Sequence, residues 1–227
     1  MALRSQPRLT QYRGNVLTSA PAVEPVTAAE LRTFLRETAT GLPDTEADDF
    51  IAQARQEIED FSGLALITQT WLMSIDRWPT QNEPWWDGVR DGAMNDLHGA
   101  RYASDVRLPR YPLQSIASVT VYDEASTSTA VTVATTFDVD TSQHPGRITL
   151  QSGATWPVAL RANNAIEISY IAGYGDAASA VPAPLIRAVK QLAASFYSKR
   201  GDGCDAEQAM RESGAMGVLG VYRVARI

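Results

Sequence analysis

The spacing of apolar residues changes twice along this chain, and that change limits the fold more than any single motif does. Between residues 44 and 63 the apolar positions recur three and four apart, as on one face of an α-helix. From Ile67 the period falls to two, and after Pro184 the helical spacing returns. The sequence therefore predicts an α+β protein, in which an antiparallel β domain is inserted into a small bundle of three to four helices.

A further helix is predicted just before the acidic one. Thr27 fits its N-cap position, and Glu30 stands three residues later, as in a capping box. Val26 and Leu31 occupy the two positions of a hydrophobic staple, which fixes the direction from which the chain enters the helix. Pro43 then separates this helix from the next.

The predicted β domain is built from short strands with turn residues between them. The first strand carries the alternating residues Trp71, Met73 and Ile75. A long insertion at residues 80–104 follows it, with Trp85 and Trp86 side by side, and loops of this length are usually functional or disordered. The other predicted strands are residues 105–108, 118–122, 131–133, 137–139, 147–150 and 165–171.

Both ends of the chain are predicted to be extended arms, because neither offers enough apolar surface to offset the entropy cost of ordering it. A short fourth helix is predicted at residues 205–213, before glycines that form a hinge to the second arm. The predicted division is therefore an arm at 1–25, helices at 26–63, the β domain at 64–175, helices at 176–213 and an arm at 214–227.

Charge is unevenly distributed along the 227 residues, whose net charge is −6. That sign argues against a protein that grips the nucleic-acid backbone over its whole surface. Arg4, Arg8 and Arg13 stand near the start without an acid, whereas residues 44–60 hold seven acids and one arginine. No segment has the length of apolar sequence that a membrane span needs, and the single cysteine, Cys204, fits a reducing compartment. We expect a folded protein that stays in the cytoplasm.

No pattern in the sequence indicates catalysis, a metal or a cofactor. The two histidines, His98 and His144, lie far apart in turn-like sequence. Oxygen ligands in the long insertion do not have the spacing of an EF-hand; they are Asp87, Asp91, Asn95 and Asp96. The expected function is therefore not enzymatic and needs no cofactor.

Several short motifs occur in an order that resembles the head-tail connector proteins, also called adaptor or head-completion proteins, of long-tailed bacteriophages and phage-derived gene transfer agents. The resemblance covers about residues 26–200. The matching pieces are Asp48-Asp49, Ala54-Arg55, Phe61-Ser62-Gly63, Thr68-Gln69-Thr70-Trp71, Leu108-Pro109, Pro112-Leu113-Gln114-Ser115-Ile116, the YIAGYG segment at 170–175, and Val181-Pro182.

The resemblance implies a structural role in the neck of a virion or phage-like particle, assembled in the bacterial cytoplasm. The implied partners are the portal protein, a stopper or tail-terminator protein, and other copies of the chain in a ring of twelve. Double-stranded DNA would pass through the ring without sequence-specific binding, and no membrane is involved.

Two groups of site residues follow from this resemblance. The C-terminal arm is expected to bind the portal. Removal of the residues from 218 onward is expected to leave the fold intact. The expected portal-binding residues are Val218, Leu219, Val221, Tyr222, Arg223, Val224, Arg226 and Ile227. Acids of the second helix are expected to face the DNA channel, namely Asp48, Asp49 and Glu57.

Two other functions remain open from the residues alone. A stopper or tail-completion ring would also join a β domain to flexible arms. A carbohydrate- or protein-binding β module would use the loop that carries Trp85 and Trp86 as its recognition surface.

Overall fold

The computed structural model of the protein describes residues 13–78, 105–154, 159–200 and 205–222, and within them it has the predicted α+β class. The helices are α1 (Ala28–Leu35), α2 (Asp44–Ser62), α3 (Val133–Thr136), α4 (Ala183–Ser198), α5 (Ala206–Glu212) and α6 (Ala215–Tyr222). The strands are β1 (Arg13–Ser19), β2 (Gln69–Ile75), β3 (Asp105–Arg107), β4 (Leu113–Tyr122), β5 (Ser128–Val131), β6 (Phe137–Asp140), β7 (Arg147–Leu150) and β8 (Ile166–Ala172).

The start of α1 has the predicted capping box. The Glu30 amide donates to Thr27 Oγ1, and the Thr27 amide donates to Glu30 Oε2. Val26 and Leu31 are both buried in the same core, as a hydrophobic staple requires. α2 ends at Gly63, whose φ of +83° suits glycine and whose amide donates to Glu59 O at 2.8 Å.

The helices α1, α2, α4, α5 and α6 share one hydrophobic core. Apolar residues of α2 and α4 at helical spacing face each other across it, because each helix has a single apolar face. Its most buried members include Ile51, Ile58, Leu185, Val189 and Leu192. No helix in the described ranges is long and apolar enough to cross a membrane.

The β domain consists of two antiparallel sheets. The larger has the strand order β1-β2-β8-β4-β5, and the smaller has the order β3-β7-β6. Buried side chains of both sheets form a second core, separate from the helical one. β2 and β8 alternate strictly between buried and half-buried residues, which confirms the period of two that predicted β2.

Two strands differ from the sequence expectation. β4 begins at Leu113 rather than at residue 118, and β5 covers 128–131 rather than 131–133. After β5 the chain makes one helical turn, α3, in which the Thr136 amide donates to Thr132 O at 3.2 Å. The spacing of Val131 and Val133 predicted a strand, but two apolar residues are too few to distinguish a strand from the end of one followed by a helical turn.

Both predicted arms contain regular structure. Residues 13–19, assigned from sequence to an extended arm, form β1 at the edge of the larger sheet, where they pair with β2. Residues 215–222, assigned to a glycine-rich hinge and arm, form α6 and pack against α4. Residues 215–222 form a helix rather than an arm because their apolar side chains pack against the helical core. Local sequence does not show that this surface is nearby.

Candidate functional site

Several of the motifs that carry the resemblance meet at one place, the joint between the helical part and the larger sheet. Tyr111 Oη donates to Ser62 O at 2.5 Å, and the Ala65 amide donates to Tyr111 O at 2.8 Å. Gln114 Nε2 donates to Thr68 Oγ1 at 3.0 Å and to Gly173 O at 2.9 Å. The end of α2, the start of β2, the start of β4 and the end of β8 are thus tied together.

Gly173 allows two backbone segments to approach closely at this joint. Its φ is +141°, and an added Cβ would lie 2.7 Å from the carbonyl carbon and oxygen of Ile67. Its amide donates to Pro112 O at 2.9 Å, and the Thr68 amide donates to Gly175 O at 3.1 Å. The YIAGYG segment therefore needs glycine for both backbone conformation and space.

A buried polar network crosses the joint from α2 to β2. Glu59 Oε2 accepts from Arg55 Nη1 at 2.8 Å, while Oε1 accepts from the Leu66 amide at 2.8 Å and from Gln69 Nε2 at 2.7 Å. Arg55 Nε donates to Glu24 Oε2 at 2.8 Å, which ties the segment before α1 to the network. Burial raises the pKa of the Glu59 carboxyl, and these donors oppose that rise.

Arg110 adds a second cation to the joint. Its Nη1 donates to Glu59 O at 2.6 Å, its Nη2 pairs with Asp60, and its guanidinium lies 4.5 Å from the centre of the Trp71 ring. Stacking over an aromatic face and hydrogen bonding in its own plane are both natural for a guanidinium. Arg110 thereby fixes the turn before β4 to the last turn of α2.

Three tyrosines connect α6 to this joint. Tyr111 Oη lies 3.4 Å from Tyr222 O at the end of α6, in addition to its bond to Ser62. Burial raises the pKa of Tyr174 to about 12, and the nearby Tyr222 and Tyr111 add to the rise. The Tyr174 hydroxyl therefore remains protonated at neutral pH.

The sequence prediction missed most of this network. Arg55 and Gln69 lie in two of the matching motifs, but nothing in the sequence indicated that they bond to Glu59, and Glu59 and Arg110 lie in no motif. A signal was nevertheless present, because Arg55 and Glu59 lie four residues apart beside Ile51 and Ile58 on the apolar face of α2. Charged residues at core positions of a helix require partners, and those partners come from distant segments.

The expected portal-binding residues do not form one exposed arm. Leu219 is fully buried in the helical core, and Val218 and Tyr222 are half-buried against it. Val221 is 85% exposed. Arg223, Val224, Arg226 and Ile227 lie outside the described residues. Leu219 therefore belongs to the core rather than to a partner-binding surface.

The three expected channel acids lie at two different places. Asp48 and Asp49 are exposed beside a groove between α2 and the segment 23–28. Glu57 is half-buried, and its pKa is raised by burial and by the nearby Asp60 and Asp205 carboxylates. Asp48 and Glu57 are nine positions apart, about 180° around a helix of 3.6 residues per turn, so these two lie on opposite sides of α2, whereas Asp49 is about 80° from Glu57.

The remaining sequence candidates contribute no site in the described structure. His144 lies in the turn before β7, with its ring 5.8 Å from that of Tyr111. Trp85, Trp86, His98 and the oxygen-rich positions of the insertion lie outside the described residues. Within the described ranges, no group of His, Cys, Asp or Glu residues has the arrangement of a metal site.

Comparison with known proteins identifies chains with the same fold. A chain from the neck of an empty gene transfer agent (GTA) particle, computed with C6 symmetry, is 23% identical, with a TM-score of 0.68 over 93% of this chain and 97% of that one. A chain from the neck of a native GTA particle, computed with C12 symmetry, is 24% identical, with a TM-score of 0.65 and coverages of 93% and 97%.

A third structure, the virion of a native GTA particle, contains a chain that is 22% identical, with a TM-score of 0.69 over 94% of this chain and 96% of that one. No protein-family model and no curated protein matches the sequence. The resemblance predicted from the motifs is thus confirmed at the level of the fold.

Proposed function

We propose that this chain is a head-tail connector subunit in the neck of a phage-like particle, where a ring of copies joins the capsid portal to the tail. The observation that carries the proposal is that this chain shares its fold, along nearly its whole length, with chains from the necks of GTA particles. The same observation supports a structural role rather than an enzymatic one.

The joint between helices and sheet gives the subunit the rigidity that such a role requires. A connector must hold its two faces at a fixed separation while DNA passes. The buried Glu59 network and the Gly173 contact tie α2 to three strands, so that the helical part and the larger sheet move together. Satisfied polar networks of this kind favour one arrangement over its alternatives.

The portal contact in this proposal lies at the end of α6 and beyond it. Val221 is the exposed apolar residue nearest that end, and Arg223 and Arg226 would pair with acids of the portal. Each contact is small, but a ring repeats it in every subunit, and multivalent attachment multiplies weak contacts.

The channel surface is proposed to include Asp48 and Asp49 but not Glu57. Exposed carboxylates repel DNA phosphates, so they prevent the counterion-releasing contacts that would hold the DNA in place. A ring structure in which Asp48 and Asp49 face outward would contradict this assignment.

Electron microscopy of the full chain mixed with its cognate portal tests the proposal. We expect a ring on the portal with the wild-type chain and markedly lower occupancy with Val221→Asp or with residues 223–227 deleted. Phe34→Asp is the matched control, because Phe34 is also an exposed apolar residue but lies on α1. Absence of any association between the wild-type chain and the portal would refute the connector role.

A further inference from the structure

Exposed large hydrophobic residues are concentrated near the start of the described chain. Five such residues are exposed in the described ranges, and three of them fall between positions 16 and 23. Val16 is 62% exposed, Leu17 is 37% exposed and Val23 is 45% exposed. Isolated exposed apolar residues are ordinary, but a group of them along one short segment marks an interaction surface.

The same segment contains β1, an edge strand with no charged residue after Arg13. Among described residues β1 pairs with β2 alone, and none of its residues from Gly14 to Ser19 is buried. Edge strands are normally guarded by charged side chains, proline or a covering element. Here the pairing shifts register between Leu17 and Ser19, Arg13 begins the strand and Pro21 follows it, but residues 14–23 contain no charged residue.

We propose that this uncharged strip, residues 14–23, is the surface on which a neighbouring copy of the chain docks. The inference rests on the proposed ring and identifies one of its subunit contacts. A closed ring needs such a contact between unlike surfaces of adjacent copies.

Charge is the reason for choosing a second copy as the occupant. Every copy carries a net charge of −6, from 26 acidic and 20 basic residues, so two copies repel each other on average. A strip without charge adds nothing to that repulsion, and a copy docked on the face that carries Val16 gains free energy by burying this side chain; Leu17 lies on the opposite face of β1. A strongly basic partner would be attracted to the acidic faces instead, and would gain nothing electrostatic here.

The first test measures self-association of the full-length chain by sedimentation and electron microscopy, alone at high concentration and on the cognate portal. Val16→Lys places a cation on the strip at a position where the side chain is already largely in solvent. Phe34→Lys makes the same change at an exposed apolar residue of α1. We expect Val16→Lys to weaken subunit–subunit association at least about ten-fold, which corresponds to 1.4 kcal/mol, and Phe34→Lys to leave it unchanged.

Thermal unfolding of both variants shows whether the fold is retained, and Val16→Thr serves as a milder variant if Val16→Lys fails to fold. Rings formed normally by a folded Val16→Lys or Val16→Thr chain would overturn the proposal. An equal loss with Phe34→Lys would also overturn it, because the effect would then be general to added charge.

Hydrogen exchange of the wild-type chain identifies the occupant. We expect the amides of residues 14–23 that do not donate to β2 to exchange readily in dilute monomer and to become protected when copies associate. Protection already present in the monomer would mean that the chain's own residues cover the strip. Protection that appears when one copy of the chain is bound to the portal, without a neighbouring copy, would mean that the portal covers the strip. Each of these two results would overturn the proposal.

Failure of this inference is distinguishable from failure of the connector role. If the wild-type chain forms a ring on the portal and Val16→Lys does so equally well, the ring stands and the strip is not its contact. If the wild-type chain associates neither with itself nor with the portal, both proposals fall together.

Discussion

An added Cβ on Gly173 would lie 2.7 Å from the carbonyl carbon and oxygen of Ile67. The two residues are more than a hundred positions apart, yet they set how closely the end of β8 approaches the segment that enters β2. Ile67 belongs to the helical core, and β8 belongs to the larger sheet. The distance between the two parts of the molecule is therefore limited by one backbone contact.

Gly173→Ala should destabilise the protein by about 3 kcal/mol or more, because it adds a steric clash with backbone to an unfavourable φ. Gly153→Ala is the control, since Gly153 has a φ of +84° but nothing within 4 Å of an added Cβ. Its cost should be about 1 to 2 kcal/mol. Chemical denaturation of both variants measures the difference, and equal losses would show that the Ile67 contact is unimportant.

Glu59→Gln should cost about 2 kcal/mol of unfolding free energy. Both carboxylate oxygens of Glu59 accept hydrogen bonds, so the NH₂ group of a Gln side chain would face another donor in either orientation. The buried Arg55 would lose one acidic partner and keep the other, Glu24. Glu57→Gln makes the same change two positions away, where the side chain is half-exposed. Urea unfolding at neutral pH should separate the two variants; a neutral effect at Glu59 would contradict the assigned network.

Glu57 should make a pH-dependent contribution to stability. Its folded-state pKa is raised above 4.5 by burial, Asp60 and Asp205, so the folded state binds the proton more tightly than the unfolded state does. The resulting stability is present below pH 4.5 and is lost as pH rises through the folded-state pKa. Glu57→Gln should therefore be slightly more stable than wild type at pH 7, by less than about 1 kcal/mol, and equal to it at pH 4. Thermal melts across pH 4–7 would show the opposite trend if Glu57 were stabilised as an anion.

Leu219→Ala should destabilise the fold by about 2 to 5 kcal/mol, because it leaves a cavity in the helical core. Val221→Ala, two positions away and 85% exposed, should change stability by less than about 0.5 kcal/mol. Deletion of 223–227 should be tolerated, whereas deletion from Val218 onward should not, contrary to the expectation from sequence. Circular dichroism melts of the two truncations would decide between a docked helix and a free arm.

Local sequence was sufficient for the elements whose signals are local. The capping box of Thr27 and Glu30, the end of α2 at Gly63 and the alternation of β2 all depend on residues within a few positions of one another. The α+β class follows, because the period of apolar residues changes where the helices give way to strands. The motif order likewise led to the neck chains whose fold this protein shares.

Only the tertiary structure showed where those elements meet. The partners of Glu59 come from α2, the α2–β2 connection and β2, and Arg110 reaches it from a turn 51 positions further along the chain. Leu219 is core and Val221 is surface, although both are apolar residues in the same glycine-spaced segment. Sequence by itself determined the periods, caps and charges of this protein, because those depend on neighbours along the chain. Burial and the pairing of distant polar groups were decided by packing, because they depend on neighbours in space.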